Sequence, residues 1–142
     1  MELEPGAVCP PLEFTPTRVR LFRFSAVSWN SHRIHYDQEH ARTEGFPDVV
    51  VQSTLHGEMF ARTVLRWAGP GAVLRRVEWR NRATAYADVP LTCTATVSTV
   101  REEGDGHLVE LALTETAADG TVCATGTVEV HIPDRAPGAE SE

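Results

Sequence analysis

Residues 53–68 hold Leu55, Met59, Phe60, Val64, Leu65 and Trp67 at helical spacing, and no other stretch of the chain constrains its fold as much. These positions cover a broad apolar face, wider than a surface helix needs, so the spacing predicts a helix packed deep against other structure. Ser53 or Thr54 opens it, and Gly69-Pro70 closes it, with glycine past the last turn and proline after. Beyond the helix, residues 73–82, 91–101, 107–115 and 121–132 alternate apolar and polar side chains at period two. The separators are 88–90, 102–106 and Asp119-Gly120, and the last two are hairpin turns in composition. One long helix and then four antiparallel strands is an α+β arrangement in a single domain.

The first half is less regular. Residues 1–17 carry four prolines and no apolar period, and are expected to form an extended arm along the domain. Val19, Leu21, Phe22, Phe24 and Val27 make residues 18–27 read as a buried strand. Residues 37–43 read as a short helix with Asp37 as its N-cap and Gly45 and Pro47 as stop signals. Residues 49–51 are three valines, a short buried run. From Pro133 the tail is polar and rich in Pro and Gly, and disorder is expected over 133–142.

Composition excludes several functions. The net charge of −7 argues against a nucleic-acid binder, which needs a concentrated basic face. All 13 basic residues are Arg, which rules out a Schiff-base lysine and a P-loop lysine. Cys9, Cys93 and Cys123 are odd in number and far apart, so free thiols in a reducing compartment are expected. No window is long and apolar enough for a membrane span, and the acidic N-terminus is unlike a signal peptide. A cytoplasmic protein that binds neither membrane nor nucleic acid is the resulting expectation.

Between the two halves lies Ser25-Ala26-Val27-Ser28-Trp29-Asn30-Ser31-His32-Arg33-Ile34-His35-Tyr36-Asp37, an apolar run that ends in a loop with two imidazoles, an amide and a carboxylate. Loops at the end of a rigid element are where catalytic groups concentrate. The stretch resembles the hydratase/dehydratase motif of the MaoC-like hot-dog family, in its mitochondrial-type 3-hydroxyacyl-thioester dehydratase and mesaconyl-CoA hydratase subgroup. Asn30, His35 and Ala41 fall on the motif positions. Residues 44–51, residues 79–92 and Trp67-Ala68-Gly69-Pro70 extend the resemblance, which covers roughly 15–132. It implies one hot-dog domain over 18–132, with an antiparallel sheet wrapped around the long helix.

The resemblance also implies an (R)-specific enoyl-thioester hydratase or 3-hydroxyacyl-thioester dehydratase acting on an acyl-CoA or acyl-carrier-protein substrate. No cofactor is implied beyond the CoA or phosphopantetheine that belongs to the substrate. His35 is the expected acid/base, since an imidazole titrates near neutral pH. Asn30 stands where many relatives carry Asp, and its amide would orient water rather than take a proton. Asp37 and Glu39 are possible helpers, with the capping duty of Asp37 competing. The backbone N–H groups of Ser53 and Thr54 would hold the thioester oxygen at the start of the long helix. Here the chain departs from its relatives, with Gln52-Ser53 in place of His-Gly and a His-Gly pair only later, at His56-Gly57.

Arg33, Arg80 and Arg82 are candidates for the substrate's phosphates, alongside Arg75 and Arg76. His32, His35 and His40 lack supporting Cys or carboxylate spacing, and no metal is expected. The family builds its pocket between two hot-dog units, which implies a homodimer or a heteromer with a second MaoC-like chain. Two other readings remain open: a non-catalytic or partner-dependent subunit of a heteromeric hydratase, and a hot-dog acyl-CoA thioesterase using a carboxylate such as Glu58.

Overall fold

A computed structural model describes residues 3–134 of the chain. Its centre is α3, Ser53–Ala68, which buries Leu55, His56, Gly57, Met59, Phe60, Thr63, Val64 and Ala68. The helix ends at Gly69, whose φ of 80° is a left-handed conformation that glycine adopts without steric penalty. Four long strands come after it: β2 (Val73–Asn81), β3 (Leu91–Glu103), β4 (Gly106–Ala117) and β5 (Val122–Pro133). With β1 (Leu12–Phe14) they form one antiparallel sheet in the order β1-β3-β4-β5-β2. Leu91, Cys93, Ala95 and Val97 of β3 bury their side chains, as do Leu111 and Leu113 of β4 and Val128 and Val130 of β5. Together with the α3 face they make one core, which is the α+β arrangement expected from the chain order and the hot-dog architecture that the resemblance implied.

Residues 18–27 are not a strand. They form α1, Arg18–Val27, capped by Thr17, whose Oγ1 accepts the Arg20 N–H at 3.3 Å. Only Leu21 and Ser25 are buried on it, one helical turn apart, while Val19, Phe22 and Val27 are exposed. An apolar run this short satisfies either period, and tertiary contact decided. The sheet edge that a strand here would have needed belongs to residues of the N-terminal arm. Leu12–Phe14 pairs with residues 91–93 of β3, and the Cys9 N–H donates to Ala95 O at 2.9 Å. Cys9 and Leu12 are buried in the core.

The remaining expectations for the first half hold in outline. Asp37 caps α2 (Gln38–Thr43), its Oδ1 accepting the His40 N–H at 3.0 Å. Val49, Val50 and Val51 are buried in an extended segment that meets residues 85–87: Val51 N–H donates to Ala85 O, and Ala87 N–H to Val49 O, both at 2.9 Å. Pro133 ends β5, and the rest of the tail expectation, from 135 on, lies outside the described residues. Among the described residues, no helix is long and apolar enough to cross a membrane. All three cysteines are free and buried, and burial pushes the Cys9 thiol up to about 11.

An imidazole and a carboxyl group meet inside the core. His56 Nδ1 is 2.5 Å from Glu115 Oε1, and Glu115 Oε2 accepts from Cys93 Sγ at 3.3 Å. All three residues are at most 1% exposed. The pair joins the first turns of α3 to β4 of the sheet. A carboxylate there is stable only because both its oxygens have partners.

Candidate active site

α1 ends at Ser28, whose N–H and Oγ both reach Phe24 O, at 2.9 and 2.6 Å. Trp29 then takes a left-handed backbone conformation, φ 57°, and reverses the chain. That reversal brings the Asn30 N–H to Ser25 O at 2.9 Å and leaves Trp29 92% exposed. Asn30 is half-buried, and its Oδ1 accepts the His32 N–H at 3.2 Å. Phe22, Ser25, Ala26, Trp29, Asn30, Ser31 and Tyr36 line a cleft of about 340 Å³. The amide of Asn30 is thus a polar group on the wall of an otherwise mostly apolar cleft.

Residues Arg33–His35 form a single 3-10 turn, with His32 as its N-cap. Val50 grips this turn with both its backbone groups. Its N–H donates to Ile34 O at 2.9 Å, and its carbonyl lies 2.8 Å from His35 Nδ1. A carbonyl can only accept, so Nδ1 carries the proton and Nε2 of the neutral ring keeps a free lone pair. His35 is 8% exposed, and burial pushes its pKa below the ordinary imidazole value; the bond to Val50 opposes that shift, and neighbouring His32 adds to it. The ring is therefore neutral at neutral pH, with one nitrogen ready to accept a proton. Val50 lies just ahead of α3, so the same contact anchors the imidazole to the chain that opens the central helix.

At the start of α3 the N-cap residue Gln52 makes no side-chain cap bond. Its side chain turns inward instead. Gln52 is fully buried, and Nε2 donates to Leu21 O at 2.8 Å and Ser25 Oγ at 2.9 Å, tying α1 to the root of α3. The N–H groups of Ser53 and Thr54 belong to the first helical turn, where the helix itself offers no acceptor. Ser53 Oγ donates to Asn81 Oδ1 at 3.0 Å and accepts from Trp79 Nε1 at 3.1 Å, so the helix tip is braced by β2. Gly57 completes the brace. A Cβ there would lie 2.6 Å from the Trp79 ring, so the displaced His-Gly pair makes room for that indole.

The other expected residues fare differently. Asp37 is committed elsewhere: the His40 N–H and then the Arg33 guanidinium hold its carboxyl below the usual range. Arg33 is bound to Asp37 by Nε at 3.1 Å and by a second nitrogen at 2.5 Å, which competes with any phosphate role. Glu39 is exposed in the first turn of α2. Arg80 and Arg82 line a groove of about 780 Å³ along β2 with Val77 and Trp79, and Arg82 Nε donates to Thr125 Oγ1 at 2.8 Å. Arg80 lies opposite Thr125 on the face of the sheet away from α3, whereas the neighbouring Trp79 ring turns to Gly57 and Ser53. Glu58 is exposed and lines a different groove, beside Arg20, Arg23 and Arg62.

The anchoring role of Val50 and the inward turn of Gln52 carried no signal in the sequence. Glu115 did carry one: it is in phase with Leu111 and Leu113 on the inward face of β4, where a carboxylate demands a partner.

A family model for hydroxyacyl-thioester dehydratase type 2 matches residues 7–87, from the arm through the turn, α3 and β2. The chain belongs to that family. Among relatives of this hydroxyacyl-thioester dehydratase type 2 member is the mesaconyl-C(4)-CoA hydratase of Chloroflexus aurantiacus, 32% identical over 144 residues, covering 89% of this chain. That match takes in 47% of the Chloroflexus protein, so the chain spans about half the length of that relative. The beta subunit of 3-oxo-4,17-pregnadiene-20-carboxyl-CoA hydratase of Mycobacterium tuberculosis is 26% identical over 130 residues, covering 91% of this chain and 96% of the subunit. In structure, the chain superposes on the (R)-hydratase of A. caviae with a TM-score of 0.84 at 20% identity, covering 92% and 98% of the two chains. That likeness is one of fold.

Proposed function

We propose that this chain is an (R)-specific enoyl-thioester hydratase, or the reverse 3-hydroxyacyl-thioester dehydratase, acting on a CoA-linked or carrier-linked acyl group. The observation that carries the reading is the orientation of His35: Nδ1 is tied to Val50 O, so the lone pair on Nε2 is free to act as the base.

In the hydration direction, Asn30 holds a water molecule and His35 Nε2 takes its proton as the oxygen bonds to C3 of the enoyl group. The electron pair of the C2=C3 bond moves onto the thioester, giving an enolate whose oxygen is held by the N–H groups of Ser53 and Thr54 at the positive end of α3. The proton on His35 then passes to C2, and the imidazole is neutral again. Arg80 and Arg82, in the groove along β2, are the candidates for the phosphates of the substrate's CoA or phosphopantetheine arm. These groups belong to the substrate, and no separate cofactor enters the steps. The test is the enoyl absorbance of crotonyl-CoA and longer enoyl-CoAs: wild type removes it, and His35→Ala does not. Hydration unchanged in the variant overturns the reading.

A second reading concerns assembly. Val27 at the end of α1 and Trp29 just beyond it are 86% and 92% exposed, and Phe22 is exposed on α1. Apolar side chains so placed favour a second hot-dog unit, either another copy or a companion chain. The match across 96% of a protein named as a beta subunit favours the companion. Light scattering of the purified chain, with activity measured alone and with candidate companion chains, separates the two.

A further inference from the structure

The turn that carries His35 brings together three side chains that the proposed hydration steps do not use. His32, His40 and Glu44 each offer a donor atom, and the three atoms lie within 4.8 Å of one another. His40 Nε2 is 2.8 Å from Glu44 Oε1, one helical turn apart along α2, and the His32 and His40 rings are 6.2 Å apart between centroids. The sequence offered His32, His35 and His40 as a candidate set, without Cys or carboxylate spacing to support it. Folding turns His35 inward to Val50 and puts Glu44 in its place.

We propose that His32, His40 and Glu44 form a site for a divalent transition-metal ion of the zinc type. Two imidazoles and one carboxylate suit such an ion better than magnesium or calcium, which favour all-oxygen shells, and three protein donors leave a fourth position for water. Donors about 2.1 Å from one tetrahedral ion stand about 3.4 Å apart. The donors here must open slightly on one side and close on the other. His32 and Glu44 are exposed and His40 is half-buried, so rotation of surface side chains accomplishes this.

Two features favour the ion at this position. Glu44 is the C-cap of α2, where the helix carbonyls already place negative charge, and a cation relieves that repulsion. His32 caps the 3-10 turn, its Nδ1 accepting the Ile34 N–H at 3.3 Å. That contact is at the long end for a hydrogen bond, and little is lost when the ring turns to bind metal. The ion joins the loop holding Asn30 and the turn holding His35 to α2, and so restricts their motion. The site stands whether or not the hydratase reading does.

The experiment is calorimetric titration of tag-free, chelator-stripped protein with zinc chloride. One ion per chain is expected, with binding weakened at least about tenfold in His40→Ala and in Glu44→Gln, and unchanged in His107→Ala, where the imidazole is remote from the cluster. Cobalt(II) substituted for zinc is expected to give a visible absorption band in wild type that both ligand variants lose. Circular dichroism establishes that the variants fold, and His32→Ala, on an exposed loop, replaces any that does not. Absence of stoichiometric binding, or wild-type affinity in either ligand variant, overturns the site.

Discussion

The Val50 carbonyl, 2.8 Å from His35 Nδ1, decides which nitrogen of that ring can take a proton. Because Val50 also binds the Ile34 carbonyl through its N–H, the turn carrying the imidazole is held at two adjacent points. Replacing His35 with Ala is expected to lower kcat by about 10²- to 10⁴-fold, the range for loss of a general acid/base. Steady-state rates on enoyl-CoA substrates, with circular dichroism to show retained structure, check this.

Burial lowers the pKa of His35 from its ordinary value of 6.5. In the proposed mechanism the neutral ring is the base, so hydration should hold its rate down through pH 6.5 and fall only at more acid pH. The acid limb of kcat/KM is the measurement, and a midpoint above 6.5 contradicts the burial argument. Stability has the same sign: the unfolded chain binds this proton more readily, so the contribution of a neutral His35 is complete above 6.5 and is lost as pH falls through its lower folded value.

Asn30 is held by its own backbone and by the His32 N–H, with its amide facing the cleft. Asn30→Ala should reduce kcat on the order of 100-fold with little change in KM, since water misplacement affects the transition state more than substrate binding. Separate determination of kcat and KM distinguishes this from a binding role.

His56 and Glu115 depend on each other inside the core. Either His56→Ala or Glu115→Ala leaves a buried polar partner unpaired and should cost about 3–5 kcal/mol. The double variant His56→Leu/Glu115→Met, which removes both groups and keeps volume, should lose less than either single variant. Urea unfolding of all three variants beside wild type compares the losses.

Gly57→Ala places a methyl against the Trp79 ring. The indole must move, its bond to Ser53 Oγ weakens, and the expected loss is about 1–3 kcal/mol. Tryptophan fluorescence, read in a Trp29→Phe/Trp67→Phe background, and thermal unfolding report both effects.

Local chemistry made much of the fold readable. The broad apolar face of 53–68, the Gly69 stop, the period-two segments and the Asp37 cap each act through neighbours in sequence, and α2, α3 and β2–β5 appear where those signals place them. The resemblance of 25–37 marked the loop of His35 for the same reason: a contiguous motif survives in one dimension. Ambiguity stayed with 18–27, whose apolar run fits strand or helix, and with Leu12–Phe14, too short and proline-flanked to read as a strand until β3 offers it an edge.

Only tertiary structure decided which way the side chains face. The bonds of His35 to Val50, Gln52 to Leu21 and His56 to Glu115 span 15, 31 and 59 residues, and no periodicity reaches across such separations. Sequence by itself determined α2, α3, β2–β5 and the types of chemistry present, because propensity and capping are local. The proton-bearing nitrogen, the buried carboxylate's partner and the grouping of His32, His40 and Glu44 came from packing, because a hydrogen bond exists only once folding has brought donor and acceptor within reach.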